Sequence, residues 1–429
     1  MKNSQPSESW VGRSFEVDIE KVAHGGIFVA RHEGRVVFVN HVLPGERVKV
    51  RVYEDRSKGF CRAEPIKLIT ASPDRVAHVW PEAAYDSEKN LAGAGGAEFG
   101  HIKLERQREL KADVIEEALQ RMAGIELRPT VEAAPGDEAA NGLGYRTRIQ
   151  LHVNEYGDVG PYRERTHEVV KVASLPLANE DIQELEMQNR NYQGVSKIEV
   201  AASSTGQAVI KVDSKLSSAD RMIERAGGRT FRISPGGFWQ VHKKAPDLLS
   251  SAVNGMVAAV GIDKDADNLD LYGGVGLFAG TLAAKFGADL RCTTVEAYKQ
   301  ATEDATLNLT DLPRVKAVCQ ATERFLNERA SESKAAAKKA KADGESAPKS
   351  TATVVLDPPR SGAGAHVIER LTEIAPKHIV YVACDPIALA RDLKPLLAAG
   401  YELKQLRAFD LFPHTHHVEC VASLVRKDQ

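Results

Sequence analysis

Cysteine is scarce in this chain: five residues among 429, Cys61, Cys292, Cys319, Cys384 and Cys420, are widely scattered with no CxxC pair. That excludes a disulfide scaffold, and it offers neither a metal clip nor a redox dithiol, so no metal is expected and a reducing compartment, the cytoplasm, is. Long apolar runs are also missing. None approaches the ~18 to 20 residues of a membrane span, and the opening MKNSQPSESW lacks the apolar stretch of a secretory signal, so no membrane partner is expected. Nor does one sign of charge dominate. Lys plus Arg number 57 and Asp plus Glu 59, a net of −2, so any surface for nucleic acid must be local. What is present, 43% hydrophobic and 27% charged residues over a length worth two or three domains, is the composition of a water-soluble globular protein.

Between residues 9 and 70, short alternating runs (FEVDI, GGIFVARH, RVVFVN, ERVKVRVYE, CRAEPIKLI) separated by turn residues predict five strands. Eleven Lys and Arg stand there against eight Asp and Glu, so the span reads as a small, mildly basic barrel of the oligonucleotide-binding type. Composition equally allows a barrel that only packs on its neighbour. Residues 71–235 read as a mixed α/β region. In it HIKLERQRELKADVIEEALQRMAG puts Ile102, Leu110, Val114, Ile115, Leu119 and Met122 on one helical face, and Gly124 ends the helix. RTRIQLHVN, EVVKV, KIEVAAS and QAVIKVD are strand-like. The last part, 236–429, alternates helix and buried strand, the pattern of a doubly wound parallel sheet. Its segment 328–350, rich in Ala, Lys and Ser without an apolar face, reads as a solvated or disordered insertion.

Four places in that sheet could carry chemistry. Leu269–Gly276 (LDLYGGVG) runs from a strand through a glycine turn into a helix, and Gly274 and Gly276 would let a ligand lie against the backbone. Twenty residues beyond Gly276, Glu296 ends the next strand, where a carboxylate can accept from ribose hydroxyls. Phe278 and Ala279 break the dinucleotide fingerprint, which favours S-adenosylmethionine over NAD. Asp357 follows the apolar TVVL and opens Asp-Pro-Pro-Arg, a stiff loop suited to hold an acid at a planar base. Cys384 ends the strand HIVYVA on the functional edge of such a sheet, whereas Cys292, Cys319 and Cys420 lie inside strand-like runs and read as core. In FPHTHHVE, three histidines (His414, His416, His417) crowd Glu419 too tightly for a usual zinc site, so Glu419 reads as a buried acid/base with histidine supports or RNA contacts around it.

Together these pieces resemble the S-adenosylmethionine-dependent RNA uracil-C5 methyltransferase family, which makes 5-methyluridine in tRNA and ribosomal RNA. HGGIFVARHEGRVVFVNHVLPGERVKVRV looks like the family's TRAM RNA-binding domain, and ISPGGFWQVH, DLYGGVGLF, DPPRSG, ACDP and FPHTHHVE follow in the family's order. The resemblance implies a multidomain α/β protein: a TRAM (OB-like) β-barrel over 9–70, a central RNA-binding and substrate-selection region over 71–235, and a Rossmann-like class I methyltransferase domain over 236–429. It implies cofactor contacts for Gln240, Tyr272, Glu296 and Asp357, a nucleophile in Cys384 and a proton acceptor in Glu419, with Asp357 also at the target base. RNA is the implied partner and a monomer the default state.

The chain departs from the family in two ways. Many TRAM-bearing members hold an iron–sulfur cluster on four cysteines; the matching stretches here, 78–101 and Leu175-Pro176-Leu177, contain none, so no cluster is expected. Leu277 stands where some relatives carry Asn. Two other functions compete. An exocyclic-amine methyltransferase would also use an Asp-Pro-Pro loop but needs no thiol, and a non-catalytic RNA-binding protein would need neither Cys384 nor Glu419.

Overall fold

A computed structural model describes residues 9–56, 59–343 and 350–427. Strands β1 (Ser14–Ala23), β2 (Ile27–His32), β3 (Arg35–Val39), β4 (Arg47–Arg56) and β5 (Phe60–Thr70) close a barrel in the order β1-β2-β3-β5-β4. The period-two pattern causes this: in β4, Val48, Val50 and Val52 face inward while Arg47, Lys49 and Arg51 stay in solvent. Cys61 is buried in the same core.

Helix α1 (Leu104–Ala118) follows, prolonged by one wider turn to Ala123, and Gly124 ends it in a left-handed conformation at φ 70°. The single apolar face expected of this segment divides. Ile102, which precedes the helix, and Leu110 join the barrel core, whereas Ile115 and Leu119 join the core of the large sheet. Helix α1 therefore fastens the barrel to the large sheet.

A fully buried ion pair reinforces this joint. Lys111 Nζ on α1 lies 2.5 Å from Asp410 Oδ1, the side chains being 0% and 1% exposed, and it also donates to the Phe412 carbonyl at 3.1 Å. Burial lowers the lysine pKa, opposed by Asp410. Breaking one partner strands the other charge in a dry interior, at a cost of about 3–5 kcal/mol. Asp410→Ala is therefore expected to lose about that much in denaturant titration, whereas Lys111→Met with Asp410→Leu should recover most of it.

The central region contributes β6 (Val131–Ala133), β7 (Arg148–Val153), β8 (Val159–Gly160), the short helix α2 (Glu180–Gln183), β9 (Lys197–Ala202), β10 (Ala208–Val212) and β11 (Lys215–Leu216). Its own sheet has the order β11-β10-β9-β7-β8 over a core that includes Tyr145, Leu151, Ile198 and Val200. Strand β6 leaves that region and extends the large sheet beside its neighbour at 408–410. The strand-like EVVKV makes only an isolated bridge, Val169 to Tyr162. A hairpin, β12 (Met222–Ala226) and β13 (Arg229–Ile233), packs with the last domain's core through Ala226, Phe231 and Ile233.

The last domain runs α3 (Ala245–Val260), β14 (Asn268–Leu271), α4 (Leu277–Phe286), β15 (Cys292–Glu296), α5 (Lys299–Asn308), β16 (Val315–Cys319), α6 (Thr322–Ala342), β17 (Thr353–Leu356), α7 (Gly364–Ile374), β18 (His378–Ala383), α8 (Pro386–Ala398), β19 (Tyr401–Asp410) and β20 (Glu419–Arg426). The sheet order is β16-β15-β14-β17-β18-β20-β19-β6, with an apolar core on each face. Strands β14 to β18 pair in parallel, as expected of a doubly wound sheet, but β20 enters antiparallel between β18 and β19. No described helix is long and apolar enough to cross a membrane.

Two sequence expectations fail here. Cys319 is exposed, because it ends the edge strand β16, so it is no core residue. Of the stretch expected to be solvated or disordered, much is helix and largely exposed, so the disordered reading fails there: α6 continues to Ala342, and only 344–349 lie outside the described residues. Ala, Lys and Glu are strong helix formers. The helix is also held from its side, by Lys334 to Glu373 at 2.8 Å and by His366 to Asn327 at 3.0 Å.

Candidate active site

Strand register gathers the polar residues at one edge of the sheet. Leu271 pairs with Val295 and with Leu356, and Leu356 pairs with Tyr381. Tyr272, Glu296, Asp357 and Cys384 therefore all stand at or just past the carboxyl ends of adjacent strands, where such sheets hold ligands. The antiparallel β20 adds the last group. Ala383 pairs with Cys420, so Cys384 and Glu419 flank that final pair from opposite strands.

The turn after β14 is shaped for close approach. A Cβ on Gly273 would fall 1.9 Å from Thr294 Oγ1 and 2.9 Å from Asp270 Oδ2, so only glycine fits. Tyr272 takes a left-handed φ of 59°, a conformation that costs a non-glycine residue energy and is common at ligand clamps. Glu296 braces the turn, accepting from the Gly274 N–H at 3.1 Å and the Tyr298 N–H at 2.8 Å; each oxygen keeps a lone pair for a hydroxyl.

Sequence reasoning assigned no role to Asp270. It is buried, its Oδ2 accepts from the Ala279 N–H and the Thr294 hydroxyl at 3.1 Å each, and its Oδ1 has no partner. Burial pushes its pKa up to about 7, with Glu296 adding a smaller push. A run of apolar neighbours hid it; an acid inside LDL was the available signal. Gln240 is half-buried in the segment before α3, and its carbonyl accepts from the Thr147 hydroxyl at 3.3 Å. That segment is tied near Glu296, since Ser234 Oγ accepts from Gln300 at 3.0 Å in the first turn of α5.

Around the thiol, charge is costly. Burial pushes the Cys384 pKa up to about 12, with Glu419 and Asp357 adding to the rise and Arg360 opposing it. Asp357 is pushed up to about 7 by burial and by Asp270. Glu419, 4% exposed, is held well above the usual carboxylate range by burial and by Asp357, against Arg360. Two neighbouring carboxyls raised above the ordinary range by burial and by each other's company are the arrangement of acid/base sites.

The histidines divide their roles. His414 is buried and joins α1 to the loop: its ring accepts from Gln107 Nε2 at 3.1 Å and donates to the Asn141 carbonyl at 2.8 Å, so it supports the domain joint, with no hydrogen bond to Glu419. His416 and His417 line a cleft of about 150 Å³ with Cys384, Lys111 and Arg360. His417 Nε2 lies 3.2 Å from an Arg360 nitrogen, and burial lowers the pKa of both rings, to about 4 and about 3, so both are neutral. Among the described residues no cluster of His, Cys, Asp and Glu is arranged to hold a metal ion.

The sheet order, the glycine turn packed too tightly at Gly273 for a Cβ and the acid ending the next strand fit an adenosyl cofactor, and they define the class: a Rossmann-like, S-adenosylmethionine-dependent methyltransferase joined to an N-terminal barrel. Residues 177–427 match the model of the tRNA (Uracil-5-)-methyltransferase family, and residues 8–66 match the TRAM domain. An uncharacterized RNA methyltransferase of Streptomyces avermitilis is 38% identical over 457 residues, covering 96% of this chain and 98% of its own. Another, of Bifidobacterium longum, is 35% identical over 440 residues, covering 96% of each. A solved structure of the Pyrococcus abyssi tRNA (uracil-54, C5)-methyltransferase in complex with S-adenosyl-L-homocysteine shares the fold, with a TM-score of 0.67 over 95% of this chain and 99% of that one at 21% identity. The chain belongs to the tRNA (uracil-5-)-methyltransferase family and carries its TRAM domain.

Proposed function

We propose that the protein methylates C5 of a particular uridine in tRNA or ribosomal RNA, through a covalent bond between Cys384 and C6. The observation that carries this reading is the placement of Asp357, Cys384 and Glu419 at the ends of neighbouring strands β17, β18 and β20, with Cys384 open to a cleft. Uracil C5 is a weak nucleophile. Addition of the Cys384 thiolate to C6 forms an S–C bond and moves the ring's π electrons toward C5, C4 and O4 as an enolate. The carboxyl of Asp357, poised near neutrality, suits the polar edge of the base. Bound S-adenosylmethionine supplies an electrophilic methyl carbon. Once C5 carries the methyl group, Glu419 accepts the C5 proton, the C5–C6 double bond re-forms and the thiolate leaves.

In this reading Gln240, Tyr272, Gly274, Gly276, Glu296 and Asp357 hold the cofactor. The barrel over 9–70 grips RNA, and 71–235 contributes to substrate choice. The target must leave its stack to reach the cleft, as chemistry on a base requires. The protein works as a cytoplasmic monomer without an iron–sulfur cluster.

The test incubates the protein with unmodified tRNA or ribosomal RNA transcripts and methyl-labelled S-adenosylmethionine, then identifies labelled nucleosides by mass spectrometry. Label in 5-methyluridine is the expected result, and the labelled RNA names the substrate. Label on an exocyclic amine would overturn the reading, as would RNA binding with no label at all.

A further inference from the structure

The barrel reaches into the catalytic edge. Its β1–β2 turn, His24-Gly25-Gly26, lines the Cys384 cleft. His24 Nε2 lies 2.7 Å from Asp385 Oδ2, while Asp385 Oδ1 caps α8 by accepting from the Ala388 N–H at 2.8 Å. On the other side of the turn, a Cβ at Gly26 would meet His416 Cβ at 2.7 Å. The turn thus touches the residue after Cys384 and the loop that precedes Glu419.

Beyond His24 a second groove opens, of about 340 Å³, between the barrel and α1. His24 and Val114 line both spaces, so the groove continues the Cys384 cleft. Its lining includes Ile27, Phe38, Met122 and Ile387, with Arg62 and Arg121 at its border. Phe38 is half-buried on the outside of β3, between inward-facing Val37 and Val39, with Phe60 edge-on at 5.5 Å and the Arg62 guanidinium 5.8 Å from its ring. Glu117 is bridged by Lys21 at 2.8 Å as well as by Arg121 at 3.1 Å, and Arg62 pairs with Glu54 at 3.4 Å; these are solvent-accessible bridges, which cost little to exchange for a phosphate. An aromatic platform with cations around it and an apolar floor suits a nucleobase and its phosphate, whichever base it is.

We propose that this groove is a second nucleotide subsite, which takes the nucleotide next to the target uridine in the same RNA strand, its base against Phe38 and its phosphate near Arg62 and Arg121. His24 marks the divide between the two bases. The proposal rests on Cys384 marking the target position.

The test titrates the full-length protein with two dinucleotides, uridine joined to the fluorescent base 2-aminopurine on its 3′ side or on its 5′ side. One isomer is expected to show saturable quenching. Phe38→Leu, which keeps apolar volume but removes the ring face, should weaken that binding about 5- to 100-fold; Phe38→Tyr should restore it, and Arg121→Glu should weaken it too. A second measurement traps 5-fluorouridine-containing substrate transcripts on Cys384 and digests the complex with nuclease before denaturation. The adduct should retain a protected dinucleotide in the wild type and shrink to a single nucleotide in Phe38→Leu. No quenching by either isomer, or unchanged binding in Phe38→Leu and Arg121→Glu, overturns the subsite even where an adduct forms. Phe38-dependent quenching without any adduct would keep the subsite and overturn the covalent reading.

Discussion

Replacing Cys384 by alanine is expected to abolish 5-methyluridine formation, by about 10⁴-fold or more, while leaving cofactor and RNA binding near wild type. The loss is large because without the S–C6 bond C5 never becomes a nucleophile. Methylation of an amine would survive the same substitution, so the variant separates the two chemistries. The thiol also makes a prediction without RNA. Burial, Glu419 and Asp357 push its pKa up to about 12, so the reactive thiolate is a trace at neutrality. Alkylation of Cys384 by iodoacetamide, measured in a Cys319→Ser background because Cys319 is exposed, should rise about tenfold per unit from about pH 7 to about pH 10 without a plateau. Asp357→Asn removes a charge that disfavours the thiolate and should move the profile to lower pH. A plateau near pH 8 in the wild type would mean that the free site already activates its thiol.

The individual strand ends were legible because each joins an apolar run to a polar residue: LDL before Tyr272, TVVL before Asp357, HIVYVA before Cys384. Buried parallel strands leave such runs, and their carboxyl ends are where a ligand meets the sheet. Distant pairings left no such mark. His24 meets Asp385 across 361 positions, and nothing in HGG announces that the barrel turn walls the Cys384 cleft. The antiparallel entry of β20, which brings Glu419 beside Cys384, depends on the path of the loop 411–418, which periodicity does not encode. Lys111 sat among the charged residues of an amphipathic helix, yet two packed domains bury it against Asp410. Cys319 was misplaced for the opposite reason, since an apolar run does not reveal which strand lies at an edge.

Glu419→Gln is expected to stop the cycle after the methyl group has arrived. Glutamine has nearly the same shape and can keep the buried place between Phe409 and Cys384, but it cannot accept the C5 proton. Addition of the thiolate and one methyl transfer should still occur, because neither needs Glu419 as a proton acceptor. Elimination should then slow by about 10² to 10⁴-fold, the usual contribution of a positioned base. That corresponds to about 3 to 5 kcal/mol of added barrier. The variant should therefore accumulate a methylated protein–RNA adduct on ordinary uridine RNA, visible as label that stays with protein on a denaturing gel. Wild-type enzyme should show that species only with 5-fluorouridine, whose fluorine cannot leave as a proton does. The raised pKa of Glu419 sets a further condition: the group must shed its own proton before it can take one, and Arg360, which opposes the rise, is placed to help. Arg360→Gln should accordingly shift the adduct balance in the same direction as Glu419→Gln, but less. Normal turnover by Glu419→Gln, with no trapped species, would transfer the proton-accepting role to Asp357 or to solvent.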